Sequence, residues 1–410
     1  MGDKNLSGAV HKSLAAAAVL LALSACPAGT PGAPSPMTAL AATGPGHTDD
    51  GNRGLDGEYD EATAAALLDN VVEFSEIPSL IHEFNPTVVD SRNAILDSID
   101  EAQAINDALA VDRYNVRELK EEAEDEGNGE AYADYASQEQ IYKSAMKSYN
   151  SQIKSLTRQT SSRNMRQTEK QLTQMANAQM IAYESQRQQK ESAEKSVSLY
   201  EEKYKIMQAS QAAGLATADE VRGAQADYLG AKASLAQANV NLNKAYESLC
   251  EMIGREPDEG VVIAAMPDPD KSFADSIDWE SDLQKAKNNN STLVSTKHTS
   301  ADTTPAKGRK KATIADGEEQ VTLELKALLE QLKEAGTGLE AAELSWSSAQ
   351  IKKQVADAKN AQGMASRQEY LEEELSYQES RASYEAAKLA LTQAQESYKW
   401  AVEGFLSIEQ

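Results

Sequence analysis

Aromatic residues are scarce in this chain, 5% of 410 residues, with three tryptophans and four phenylalanines. That is too little ring area for several thick globular cores. Cysteine is scarcer still. Cys26 and Cys250 are the only two, which excludes a disulfide-stapled scaffold and a cysteine-rich metal cluster. An excess of basic charge is missing: 40 Lys and Arg stand against 65 Asp and Glu, for a net charge of −25. A phosphate-binding surface needs the opposite sign, so nucleic acid is not an expected partner. Long apolar runs are absent too. Leu14 to Leu23 is a run of ten residues, too short to span a bilayer. Glycine and proline disappear from Glu130 to Ala213, a stretch of 84 residues. Nothing there breaks a helix, and one unbroken helix of that length would be ~125 Å long at 1.5 Å per residue. Such a rod must pack side-on against others.

What is abundant agrees with this. Ala, Glu, Gln, Lys, Ser and Leu dominate, the profile of long amphipathic helices with narrow apolar stripes. Two stripes repeat each other 149 residues apart. After Gly214 the stripe runs Val221, Ala224, Tyr228, Ala231, Leu235, Ala238, Leu242, Ala245, Leu249, Met252. After Gly363 it runs Tyr370, Glu373, Tyr377, Ser380, Tyr384, Ala387, Leu391, Ala394, Tyr398, Ala401. Steps of three and four in alternation keep a seam facing a partner helix in a left-handed coiled coil. Each stripe starts at the same punctuation. Gly214-Leu215-Ala216 is followed by Thr217 and Glu220, and Gly363-Met364-Ala365 by Ser366 and Glu369. A glycine past one helix end and a capping box at the next start predict a tight helical hairpin.

The fold predicted is mainly all-α. It has two tandem coiled-coil hairpins with tips at Gly214 and Gly363 and a minor β element at Val261–Ala264. Domain boundaries are expected at 61–270 for the first repeat and 271–410 for the second. A first helix is expected around Ala64 to Val72. A short helix then breaks at Asn85-Pro86, where proline opens the next helix at no hydrogen-bonding cost. That helix continues to about Glu126, and Gly127-Asn128-Gly129 makes a turn. A helix over 272–290 ends in Asn288-Asn289-Asn290, echoing Phe84-Asn85-Pro86. The polar stretch 291–318, with its basic run Arg309-Lys310-Lys311, carries no clear pattern. A further heptad leads from Val321 to Gly363, and Gly336 and Gly338 within it each cost about 1 kcal/mol against alanine, leaving room for a local kink. Cys250 reads as a buried thiol.

The N-terminus reads as an export leader. Lys4 and Lys12 precede the apolar run, which ends in Leu23-Ser24-Ala25-Cys26. Two readings fit. Residues 1–25 are a lipoprotein-type leader with Cys26 acylated, or an ordinary leader is cleaved near Ala41 after Ala39-Leu40-Ala41. Residues 26–60, rich in Pro, Gly, Ala and Thr, are a flexible tether. No metal site is expected, because His11, His47, His82 and His298 share no ligand spacing with one another or with cysteine. No phosphate loop, dinucleotide fingerprint or nucleophile elbow is present. No cofactor is expected and an enzyme is not.

The two tips, the arm ending Leu249-Cys250-Glu251-Met252-Ile253-Gly254, the Asn-Pro-like breaks and the short strand together resemble the TolC-like outer-membrane efflux proteins, over roughly residues 60 to 410. The resemblance implies a homotrimer whose hairpins close into a hollow α-helical barrel. It implies a β-barrel of four strands per copy, and tips that dock an adaptor protein and an inner-membrane pump. It also implies that acidic residues past the second tip ring the pore entrance, which here are Glu369 and Glu372. Tyr370, Tyr377 and Tyr384 read as seam residues. One departure stands out. Membrane strands would fall near 110–140 and 290–318, where Arg117 to Glu126 and the polar second stretch cannot face lipid. The expected function is therefore an efflux conduit of the cell envelope lacking its own membrane barrel. The alternative is a lipid-anchored, non-conducting coiled-coil structural or adaptor protein of the envelope.

Overall fold

A computed structural model describes residues 59–160, 163–257 and 260–407. The leader, Cys26 and the tether lie outside them, apart from the tether's last two residues. Ten helices account for most of the described chain: α1 (Glu61–Leu68), α2 (Ile77–Phe84), α3 (Pro86–Asp125), α4 (Gly129–Thr160), α5 (Arg163–Ala212), α6 (Ala218–Met252), α7 (Trp279–Asn289), α8 (Ser291–His298), α9 (Thr304–Ala361) and α10 (Arg367–Val402). Two strands, β1 (Val71–Val72) and β2 (Val262–Ile263), pair in parallel, Val71 with Val262 and Val72 with Ile263. The fold is mainly α, as expected, with the minor β element in place. The first helix stops short of its expected end at Val72, because Val71 and Val72 are taken by β2. Helix α9 runs through Gly336 and Gly338 unbroken. The unassigned stretch 291–318 is helical on both sides of a turn. Lys310 Nζ closes that turn by donating to the carbonyls of Lys297 and Thr299, 2.7 Å each.

Packing is pairwise. The helices form three antiparallel hairpins, α3–α4 turning at Gly127, α5–α6 at Gly214 and α9–α10 at Gly363, and α10 lies along α5. Between α5 and α6 the seam alanines Ala224, Ala231, Ala238 and Ala245 are buried, while Tyr228, Leu235 and Leu242 between them are half-buried. Small residues take the closest approach, so two long helices meet with little apolar area. The second seam departs from its heptad near the tip: Glu373 is exposed and Leu371 is buried instead.

Two compact cores sit where the hairpins meet the short elements. The first gathers Leu67, Ile77, Ile81, Met180, Leu249 and Ile253, all fully buried. Buried Cys250 packs there. The second gathers Leu293, Val321, Leu325, Leu391 and Tyr398, with the Phe273 ring edge-on to Tyr398 at 6.2 Å. Each core is closed by the same device. Asn85 caps α3, its Oδ1 accepting from Val88 N (3.2 Å), while its Nδ2 donates to Met252 O (2.6 Å). Asn290 caps α8 in the same way (Leu293 N, 3.1 Å), and its Nδ2 donates to Leu406 O (2.9 Å) and Gly404 O (3.4 Å). Beneath each asparagine a glycine with positive φ lets two backbones touch. A Cβ on Gly254 would overlap the Phe84 carbonyl, and one on Gly404 would lie 2.6 Å from Asn289 O. The echo between Asn85 and Asn290 in the sequence is thus a repeated joint.

Candidate functional site

The two tips are built alike. Gly214 N donates to Gln211 O (2.9 Å) and Leu215 N to Ser210 O (2.8 Å). Gly363 N donates to Asn360 O (3.0 Å) and Met364 N to Lys359 O (2.8 Å). This double closure needs a left-handed residue, and φ is +75° at Gly214 and +68° at Gly363. The next helices then start from capping boxes. Thr217 Oγ1 accepts from Glu220 N (3.2 Å) and Thr217 N donates to Glu220 Oε2 (2.6 Å). Ser366 Oγ accepts from Glu369 N (3.2 Å) and Ser366 N donates to Glu369 Oε2 (2.9 Å). Leu215 is 83% exposed and Met364 66% exposed, so each tip presents one large apolar side chain to solvent.

Glu369 and Glu372 differ in their ties. The Glu369 carboxylate accepts from the Ser366 backbone N–H and hydroxyl, which hold its pKa below the usual carboxylate range. The Thr217 backbone N–H and hydroxyl do the same for Glu220. Glu372 is exposed and accepts only a hydrogen bond from Gln368 Nε2 at 3.2 Å among the described residues.

Beside the second tip lies a network that the sequence reading did not single out. Lys353 Nζ donates to Tyr370 OH (2.9 Å) and to Glu374 Oε2 (2.9 Å) and also pairs with Asp357. Burial works against its charge, but the hydrogen bonds to Asp357, Tyr370 and Glu374 outweigh it and raise the lysine pKa. Arg367 lies over the same Tyr370 ring (4.9 Å) and pairs with Glu202 of α5 at 2.6 Å, tying the second tip to the first hairpin. The one visible signal was a lysine on the tip-proximal turns of α9 facing an acidic α10. Tyr384 is a seam residue, stacked on Trp346 at 4.7 Å.

Helix order follows from the packing: α6 beside α5, α5 beside α10, α10 beside α9. The outer helices α6 and α9 each keep a back face turned from their seam, and both backs are exposed and mainly apolar. On α6 the stripe is Leu229, Ala233, Ala236 and Val240. On α9 it is Leu344, Ser348, Ile351 and Val355, with Ser348 as its one polar member. Counted from the tip glycines, Leu229 and Ser348 are both fifteen residues away, and Ala233 and Leu344 both nineteen. The two tips are not level: Arg367, four residues past Gly363, pairs with Glu202, twelve before Gly214, and Glu403, forty past Gly363, pairs with Lys170, forty-four before Gly214.

Between α5, α6 and α10 runs an open cleft of about 780 Å³, lined by small polar side chains such as Ser185, Ser192, Ser234 and Ser383, with Asp227 as its one carboxylate. Among the described residues, no group of three or more His, Cys, Asp or Glu is placed to hold a metal ion. His82 instead lies at the first joint, its Nδ1 3.2 Å from Glu169 Oε1. No helix of the described residues is long and apolar enough to cross a membrane. The segments around 110–140 and 290–318 contain no strand.

No family profile and no curated protein matches the sequence. Solved structures do. The chain is similar to a membrane protein from Pseudomonas aeruginosa at 12% identity, over 82% of this chain and 92% of that one, with a TM-score of 0.50. It is also similar to CusC (15% identity, 81% and 97% covered, TM-score 0.49) and to the CmeC outer membrane channel of Campylobacter jejuni (11% identity, 82% and 87% covered, TM-score 0.44). At these identities what is shared is the fold. The resemblance to TolC-like efflux proteins holds as a likeness of fold, in which the described residues supply helices and no barrel strands.

Proposed function

We propose that copies of this chain stand side by side as a homotrimeric helical duct, through which a partner pump expels small molecules or peptides across the cell envelope. The observation that carries this reading is the pair of free edges: a mainly apolar stripe on the back of α6 and another on the back of α9 are both exposed and uncovered within one copy. A layer of four helices with two such edges can close on itself by rotation. Leu215 and Met364 are the contacts offered to an adaptor protein and an inner-membrane pump at the tips. Glu372, and Glu369 through its cap, are the carboxylates that would crowd around the axis of a ring, favouring cations and repelling anions. Export, with a lipid on Cys26 as the membrane anchor, supplies the attachment that a chain without barrel strands among its described residues needs.

The test is the state of association. Native mass spectrometry of the exported chain should give a trimer, and Leu229→Glu or Leu344→Glu should give a monomer. A wild-type chain that stays monomeric at high concentration overturns the reading. Glu369→Gln with Glu372→Gln keeps a cap and removes the charge, and it should shift ion selectivity in bilayer recordings. An unchanged selectivity removes both residues from the gate. The absence of strands at 110–140 and 290–318 favours a second reading, a lipid-anchored rod that spaces envelope components without conducting. A trimer that appears solid in electron micrographs and passes no current would establish that one instead.

A further inference from the structure

The α3–α4 hairpin stands where the resemblance would put membrane strands, and each of its helices packs mainly on the other. Its seam is Ala102, Leu109 and Val116 against Tyr142 and Tyr149. Opposite the seam the two backs carry opposite charge. On α3 the positions Asp97, Asp100 and Asp107 share the heptad face turned from the seam. On α4 the positions Lys147, Lys154 and Arg158 do the same. All six are exposed, and none forms an ion pair among the described residues.

Their heights match. Counted from Gly127, Asp107 and Lys147 are each twenty residues away, and Asp100 and Lys154 each twenty-seven. Asp97 and Arg158 are thirty and thirty-one. At 1.5 Å per residue these are three levels about 30, 40 and 45 Å from the turn. Copies related by rotation about an axis along the hairpins keep every residue at one height, so only groups level within one copy can meet across neighbours.

We propose that the α3–α4 hairpins of neighbouring copies dock side by side, the acidic back of α3 against the basic back of α4 of a second copy of this chain, prolonging the helical assembly beyond the joints. This rests on the ring of copies above for the direction of its axis. Docking by level, opposite charges sets register and partner more than raw affinity.

The test uses the full chain with Cys26 and Cys250 replaced by serine. One variant carries Asp107→Cys with Lys147→Cys, a second set carries Ser348→Cys with Leu229→Cys, Ala233→Cys, Ala236→Cys or Val240→Cys in turn, and a short bis-maleimide is the probe. The expected result is cross-linked oligomers from both. In the first variant, Asp97→Lys with Asp100→Lys should lower the yield about tenfold, and adding Lys154→Asp with Arg158→Asp should restore it. Restoration by the swapped charges separates docking from simple loss of helix stability. Cross-links from the α6–α9 set but none from the Asp107–Lys147 pair would overturn this proposal and leave the duct standing. Cross-links from neither would overturn both.

Discussion

From Asn85 to Gly214 the chain runs 129 residues, and from Asn290 to Gly363 it runs 73. The two halves nonetheless share a capping asparagine with its amide on a distant carbonyl, a glycine pressed against backbone, a tip with positive φ and a capping box after it. The extra 56 residues lie beyond the joint, as two helical arms each ~40 Å longer at 1.5 Å per residue. Joint and tip are over-determined by backbone geometry. The arm beyond the joint is held by one seam and is free in length. Geometry that many bonds specify is repeated here, and geometry that a periodic pattern specifies has been extended.

The sharpest way to break this comparison is at the joints. Gly254→Ala would force a Cβ into the Phe84 carbonyl at φ +68°, and Gly404→Ala would force one into Asn289 at φ +97°. Each is expected to cost about 3–5 kcal/mol, a clash added to an unfavourable backbone angle. Gly363→Ala has the same φ, +68°, but nothing within 4 Å, and should cost about 1–2 kcal/mol. Urea midpoints measure all three. Equal losses at Gly254 and Gly363 would mean that the joint is no tighter than the tip.

A smaller effect, confined to the long arm, comes from Glu139. Its carboxylate meets Lys120 (2.7 Å), Lys143 (2.8 Å) and Arg113 (3.7 Å). Hydrogen bonds from Lys120 and then Lys143 lower its pKa to about 2. A depressed carboxylate pKa stabilises the folded state above the unfolded value, and that contribution is lost as pH falls from about 4.5 towards 2. Glu139→Gln should therefore speed amide exchange in α3 and α4 near neutral pH, converge with wild type near pH 2, and leave α9 and α10 unchanged. A difference that persists at pH 2 would remove the charge explanation.

The smallest effect is expected at Arg367 and Glu202, which tie the second tip to the first hairpin. Both side chains are more than a third exposed (46% and 38%), so a double-mutant cycle should return a coupling of about 0.5 kcal/mol or less. A coupling several times larger would make this tie a structural part of the tip.

Much of the architecture was legible because it is local. Heptads, capping boxes and tip glycines are decided within a few turns of helix, and both hairpins formed where Gly214 and Gly363 put them. Misses occurred where a distant segment decides. Val71 and Val72 look helical alone and become a strand because Val262 and Ile263 lie beside them. The helix start at Ser291 was missed although its cap, Asn290, is adjacent, because what fixes Asn290 in place is the pair of carbonyls of Gly404 and Leu406, more than a hundred residues away. The Lys353 network was missed for the same reason, since its acids come from both arms of α9–α10. The matched charges of α3 and α4 were readable all along, by counting outward from Gly127.

The parallel pairing of β1 with β2 has an evolutionary consequence. It brings residue 72 beside residue 263, so the first half enters and leaves its long excursion at one place. The second half does likewise, with Gln395 Nε2 donating to Asp270 O near its own beginning. A segment whose ends coincide can be copied in tandem by a single in-frame duplication, and the new copy lands beside the old without any redesigned linker. Length can then drift independently in each copy.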